Sequence, residues 1–240
     1  SQMAQAIQAG RDLHLHTGAG ILGIGYVEMS TRFEAGDTEA KNARQLAKCL
    51  NFGLAGGLGS ARFCQFAKAT YGLELTDTQA KQLKQTWLSS YPEMRHYFAD
   101  VSAALQYEGK FTAEQYKSGR RRGGLGFTDG CNTYFQGLVA DLAKEAVYYV
   151  VRACYTRDDA LEDCRVVAFI HDEVILEAPI DKASEAADRL VNLMVDCGQR
   201  WLPDVPLRAE ATLMERWYKS AEPTYDSTGR LVPWRPPTCE

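Results

Sequence analysis

No stretch of this 240-residue chain stays apolar for the ~20 residues that a membrane-spanning helix needs, so no span is expected. No signal-peptide pattern opens it, and no internal repeat or low-complexity tract interrupts it. No CxxC pair occurs among the seven cysteines, and their odd number argues against a disulfide framework as well as a zinc site. That usage fits a reducing cytosol. The chain also lacks an excess of positive charge: 27 Lys and Arg against 31 Asp and Glu leave a formal net charge of −4. Bulk charge therefore gives no signal for nucleic acid and weakens that reading, although local basic patches matter more than the sum. What is present is an ordinary globular mixture, 45% apolar and 24% charged, enough for one large domain or two small ones.

Residues 165–179, RVVAFIHDEVILEAP, organise the chain. Two apolar, β-branched runs flank a short polar break, which predicts a β-hairpin. The break holds neither Gly nor Asn, the usual suppliers of positive φ in such a turn; it holds His171, Asp172 and Glu173. Adjacent anions repel, and burying them unpartnered costs several kcal/mol. A divalent cation would offset that cost, and hard carboxylate oxygens suit Mg²⁺. On residue type alone, a solvated acidic turn is the alternative.

The remainder predicts helices. Residues 3–9 can form one that stops at Gly10, and a second begins near Asp12, a capable N-cap. His14 and His16 are two apart and do not share a helix face, which argues against a helical metal pair. Residues 38–69 read as one long helical stretch capped by Thr38. Arg44, Lys48 and Phe52 recur at i, i+4 and i+8 and climb one face of it, drifting about 40° per step. Two cations with an aromatic beyond them suit a triphosphate with its sugar and base. A solvated basic stripe is the plainer alternative. Gly56 and Gly57 should end or loosen this helix, because an interior Gly costs about 1 kcal/mol relative to Ala.

Residues 76–107 predict further helices, capped by Thr76 or Asp77 and jointed at Tyr91-Pro92. Trp87, Tyr91, Met94, Tyr97 and Phe98 read as core there, with His96 a structural or surface residue. Residues 119–130, GRRRGGLGFTDG, predict a flexible loop whose Arg120, Arg121 and Arg122 suit phosphate contact, or simply a solvated charge run. Residues 132–151 predict a helix that projects Asn132 and Gln136 together. Residues 181–200 are amphipathic, with Ala187, Leu190, Leu193 and Met194 inward. Residues 207–213 predict an edge strand, and the last twenty residues, carrying Pro223, Pro233, Pro236 and Pro237, an extended tail.

Several of these segments resemble the family A DNA polymerases, in that family's order, between His14 and Trp217. FIHDEVILE at 169–177 resembles motif C, whose Asp holds the catalytic metal ions of the palm. Arg44-x3-Lys48 followed by Asn51-Phe52-Gly53 resembles motif B, the fingers helix that carries the nucleotide, in residue type and spacing over ten positions. Asn132-x3-Gln136-Gly137-x3-Asp141 resembles the helix whose carboxamides read the minor-groove face near the primer end, where donor-and-acceptor groups suit base edges. GRDLHLHTG at 10–18 resembles the segment after motif A, whose His reaches the incoming triphosphate. Residues 119–130 resemble the family's basic turn, and Trp217-Tyr218-Lys219-Ser220 its C-terminal end. Two positions depart from the pattern. Gly56 stands where the family usually has a Tyr that stacks near the templating base, and Thr128 where it often has an Arg.

The resemblance implies an α+β, mostly helical chain: fingers helices across residues 3–130 and the C-terminal half of a palm, with its antiparallel hairpin, across 131–240. It implies template-directed transfer of a nucleotide from dNTP to a primer 3′-hydroxyl, with two Mg²⁺ ions. Asp172 would be the metal ligand, Glu173 a secondary participant, and His171 a support for the primer end or the turn. Arg44, Lys48, Phe52 and His14 would hold the nucleotide; Asn132, Gln136, Asn51, Arg120, Arg121 and Arg122 would contact primer-template DNA. Phe rather than Tyr at position 52 implies discrimination against nucleotides lacking a 3′-hydroxyl.

Motif A, which supplies the second metal-binding Asp, lies upstream of the His14 segment in that family. A fragment, inactive alone and partnered by an upstream segment carrying motif A and the thumb, is therefore expected. A cytoplasmic setting, in a bacterial or phage-infected cell, goes with it. Two alternatives stay open. One is an inactive module that binds DNA or protein. The other is a single-subunit RNA polymerase, against which Glu173 and Asn51-Phe52-Gly53 argue.

Overall fold

The computed structural model describes residues 1–108 and 110–236, with side chains outside residues 106–108. It divides into two compact units, Ser1–Leu138 and Val139–Glu240.

The first unit is a helical assembly with one small hairpin. Helix α1 spans Gln2–Gln8 and α2 Leu13–Leu22. Asp12 caps α2 through Oδ1, which accepts from the backbone N–H groups of His14 and Leu15. Helix α3, Tyr26–Glu34, was not expected from the sequence. Helix α4 spans Thr38–Ala55, and its cap is Asp37 rather than Thr38: Asp37 Oδ1 accepts from Ala40 N at 2.9 Å. The carboxylate also pairs with Arg32 at 3.0 Å, which fastens the end of α3 to the start of α4.

The stretch 38–69 is two helices, not one: α5 begins afresh at Ser60–Tyr71. The break falls at Gly56 and Gly57, where loosening was expected, and Gly57 takes φ +77°. A Cβ at Gly56 would lie 2.7 Å from Asn132 Oδ1, and one at Gly57 2.9 Å from both Cys131 Sγ and Phe127 Cε1. The space a Tyr at position 56 would need is thus occupied by the first turns of the helix that starts at Phe127. Gly57→Ala combines a left-handed backbone with two close contacts. It should lower stability by ~1–3 kcal/mol, read as a shifted urea midpoint at unchanged slope. An unmoved midpoint would show that the break is slack.

Helix α6, Asp77–Ser90, opens on a capping box in which Thr76 accepts from Gln79 N and the Gln79 side chain returns to Thr76 N. Helix α7 spans Glu93–Glu108 beyond the joint at Tyr91-Pro92. Cys49, Leu50, Leu54, Phe63, Trp87, Tyr91 and Met94 form the main core, with Tyr97 and Phe98 against it, as expected; His96 is exposed. The predicted basic loop is instead part of a hairpin. Strand β1, Phe111–Glu114, pairs antiparallel with β2, Arg121–Leu125. Phe111, Ala113 and Leu125 bury one face against Val101 and Cys131, so packing decides the strand where Gly content suggested a loop. Helix α8 then runs Phe127–Cys154, starting before Asn132.

In the second unit, β3 (Arg165–Ile170) and β4 (Glu173–Glu177) form the expected antiparallel hairpin. Ile170 pairs with Glu173, leaving His171 and Asp172 as a two-residue turn. His171 takes φ +57°, supplying the left-handed position that Gly usually fills. Helix α9, Ala183–Trp201, packs Leu190, Leu193 and Met194 beside Val150, Leu161 and Ala186. Residues 207–213 are not a strand. Leu207 sits instead against Gly198 of α9, where a Cβ would leave it no room. The expected extended tail folds back: β5, Thr224–Tyr225, pairs with β6, Leu231–Val232, around a turn in which Asp226 Oδ1 accepts from Thr228 N and Arg230 N. Pro237 lies outside the described residues. Among those described, no helix is long and apolar enough to cross a membrane.

Candidate functional site

In the first unit the expected nucleotide residues come together. Helices α2 and α4 pack closely because small residues face each other. Ala19, Ala40 and Ala43 are buried between them, and a Cβ on Gly18 would meet Met29 Cε at 2.8 Å and the Ala43 backbone at 3.5 Å. That approach sets His14, in the first turn of α2, beside Phe52, in the last turn of α4, with ring centroids 5.6 Å apart. Phe52 is 62% exposed, an apolar ring held at the surface. Lys48 and Arg44, one and two turns back along α4, are half-buried. Arg44, Lys48, Phe52 and His14 thus line one continuous patch.

Arg44 is not idle there. Its Nη2 donates to Asp12 Oδ2 at 2.6 Å, and its guanidinium lies over the Phe33 ring at 5.1 Å. Burial alone would push the Asp12 carboxyl up. The Arg44 hydrogen bond and the backbone N–H groups of Leu15 and His14 outweigh it and hold the carboxyl below its ordinary value. Asp12 therefore both caps α2 and orients Arg44. Burial pushes His14 below the ordinary histidine value; Asp12 acts against that, while Arg44 and Lys48 add to it. A neutral imidazole beside two cations is an acceptor or donor, not a third charge.

Asn51 was expected to touch primer-template DNA, but its carboxamide is turned inward. Asn51 Oδ1 accepts from Trp87 Nε1 at 2.9 Å and from Thr17 Oγ1 at 3.0 Å, and Asn51 Nδ2 lies 3.1 Å from His14 Nδ1. The reason is that Asn51 sits one turn from the buried Leu54 on the side of α4 that meets α2 and α6. Thr17, 2% exposed, also pairs with the Tyr91 hydroxyl at 2.8 Å. Thr17, Trp87 and Tyr91 are parts of this arrangement that sequence reasoning placed only as core or not at all.

Asn132 and Gln136 project from α8 as an exposed pair, while Thr133 and Gly137, each the next residue along, are buried. The hairpin covers that buried side. Gln115 Nε2 donates to Thr133 O at 2.8 Å, Arg122 Nη1 to Thr133 Oγ1 at 2.9 Å, and Arg120 Nη2 to Gly137 O at 3.2 Å. Arg121 lies 3.7 Å from Glu114 across the strand pair. All three arginines remain exposed, with their stems fixed by the hairpin.

In the second unit, His171, Asp172 and Glu173 are all exposed at the hairpin tip. The desolvation argument for a cation is therefore not met within this unit, because the carboxylates keep their water. Asp172 and Glu173 fit Mg²⁺ in donor type, but among the described residues no group of three His, Cys, Asp or Glu is placed to hold a metal ion.

The profile of DNA polymerase family A matches residues 1–219. DNA polymerase I of Aquifex aeolicus is 30% identical over 217 residues, covering 90% of this chain and 35% of that protein. DNA polymerase I of Geobacillus stearothermophilus is 24% identical over 226 residues, covering 90% of this chain and 23% of that protein. The fold resembles the POL domain of Pol1 from M. smegmatis, solved in complex with DNA primer-template and dNTP, with a TM-score of 0.68 at 23% identity, over 87% of this chain and 34% of that one. The chain spans about a third or less of the length of these relatives. With 219 of its 240 residues inside the match, the chain belongs to DNA polymerase family A.

Proposed function

We propose that this chain supplies the nucleotide-holding face and one metal-holding carboxylate of a DNA polymerase that extends a primer on a template. The observation that carries this is the meeting of Arg44, Lys48, Phe52 and His14 on adjacent turns of α2 and α4. In this reading residues 3–130 act as fingers and 131–240 as the C-terminal part of the palm. Lys48 and Arg44 pair with phosphate oxygens, Arg44 being held ready by Asp12. His14 adds a neutral donor, and Phe52 covers the sugar and base. Asn132 and Gln136, exposed together, suit the edges of primer-template base pairs, and Arg120, Arg121 and Arg122 suit the DNA backbone.

Asp172, with Glu173 in a secondary place, would hold Mg²⁺ at the hairpin tip, and His171 would keep the turn in its left-handed form. Bound there, Mg²⁺ would supply activation of the primer 3′-hydroxyl and stabilisation of the leaving pyrophosphate. In this reading an upstream segment of the polymerase adds further carboxylates. Val167 and Phe169, 54% and 42% exposed on one side of the hairpin, are the surface such a segment would cover. The full exposure of the tip, whose carboxylates keep their water, favours a second reading, an inactive module that binds DNA or protein. Asp172-dependent extension separates the two.

The nucleotide face is tested by amine-selective labelling of the chain with and without dNTP. Lys48 should be protected, and Lys68, which is exposed and paired with Glu74, should not. Equal labelling of Lys48 in both conditions would remove the face from the reading. Phe52 gives a second check. Its exposed ring leaves room for a hydroxyl, so Phe52→Tyr should relax discrimination against dideoxynucleotides with little change in stability. Equal incorporation of dideoxy- and deoxynucleotides by the unmutated polymerase would defeat the assignment.

A further inference from the structure

The hydrogen bonds around Asn51 leave His14 one arrangement of its proton. The Trp87 indole N–H can only donate, so the Asn51 atom 2.9 Å from it must be the carbonyl oxygen. Thr17 Oγ1, 3.0 Å from the same oxygen, shares its one proton between that oxygen and Leu13 O at 2.9 Å, so the indole alone fixes the orientation. The other end of the carboxamide, 3.1 Å from His14 Nδ1, is then the NH₂ group, which also lies 3.4 Å from Leu13 O. An NH₂ group facing a ring nitrogen must find a lone pair there. His14 Nδ1 therefore carries no proton, and a neutral ring carries it on Nε2.

We propose that Asn51 is a positioning residue that holds His14 as the Nε2–H tautomer, presenting one neutral N–H donor to a nucleotide phosphate. The anchor is rigid, because Trp87 is buried in the core and Thr17 is braced by the Tyr91 hydroxyl at 2.8 Å. The charged groups around the ring agree: Asp12 caps its helix, Arg44 and Lys48 lie on α4, and with burial their balance favours the uncharged ring. The Phe52 ring on its flank limits rotation that would exchange the two nitrogens. The phosphate part of this proposal rests on the nucleotide reading above; the tautomer does not.

The chain has four histidines, so ¹⁵N-histidine labelling gives a short spectrum in which His14 can be assigned by substitution. At neutral pH the unmutated chain should show His14 Nδ1 unprotonated and Nε2 protonated. Asn51→Asp keeps the shape but replaces the donor by an acceptor. It should protonate Nδ1 and raise the pH at which the ring titrates, a change that simple loosening of the helix would not produce. Titration with dATP should move the His14 Nε2 signal saturably, with affinity about tenfold weaker in Asn51→Asp. A protonated Nδ1 in the unmutated chain overturns the proposal whether or not the variant folds. So does an unprotonated Nδ1 in a folded Asn51→Asp. If dATP leaves the His14 signal still while the tautomer is as stated, the phosphate part and the nucleotide reading of His14 fail.

Discussion

Asp172→Ala, introduced into a polymerase that holds this chain, should bring primer extension to background while primer-template binding persists. The side chain is exposed in a two-residue turn, so its removal takes nothing from the core and the loss is one of chemistry. His171 carries the positive φ and is untouched by the change. What disappears is the hard-oxygen donor of the turn. Metal-assisted charge stabilisation is worth several kcal/mol, and each ~1.4 kcal/mol is a factor of ten in rate, so a loss of at least about 10³-fold is expected. Glu173→Ala should cost less, because Glu173 begins β4 opposite Ile170 and serves second. The measurements are extension with Mg²⁺ on a labelled primer and anisotropy of the same primer-template. Near-normal extension by Asp172→Ala would take the hairpin tip out of the mechanism and favour the inactive binding module.

Lys48→Ala and Arg44→Ala should both weaken nucleotide use, but in different ways. A charge-assisted phosphate contact contributes about 1.5–3 kcal/mol, so each variant should lose roughly 10- to 150-fold in kcat/KM for dNTP. Lys48 holds no ion pair among the described residues, and its removal should leave stability nearly unchanged. Arg44 is bound to Asp12 at 2.6 Å, so removing it strands a half-buried carboxylate and should also lower the unfolding midpoint. The acid response separates them further. Asp12 has its folded-state pKa depressed, so its contribution to stability is present above its unfolded pKa and is lost as pH falls through the folded one. Arg44→Ala should flatten that acid loss, and Lys48→Ala should keep it. Unchanged nucleotide parameters in both variants would mean that this face of α4 binds something else.

The patch on α4 was legible because one helix determines it. Residues spaced by four share a face whatever the rest of the chain does, and Arg44, Lys48 and Phe52 needed nothing more. The same holds for the break at Gly56 and Gly57, the cap at Thr76, and the hairpin, although Glu173, read as part of its polar break, begins β4. Each is a local preference strong enough to survive packing. The role of Asn51 was not legible, because its carboxamide joins His14 and Trp87, which lie 37 and 36 residues away along the chain. Which way a polar side chain turns is decided by the partners that tertiary packing brings to it, and the helix period says nothing about them. The strand at Arg121–Leu125 and the absence of one at 207–213 were decided in the same way. Phe111, Ala113 and Leu125 found a buried face to share, which overrode the loop-forming glycines. Leu207 found its apolar partner on a helix, at Gly198, and so had no sheet to join. Local sequence thus set most helices, though not α3, and the chemistry each face can offer. Which of those groups meet, and which are spent on one another, was settled by burial between segments far apart in the chain.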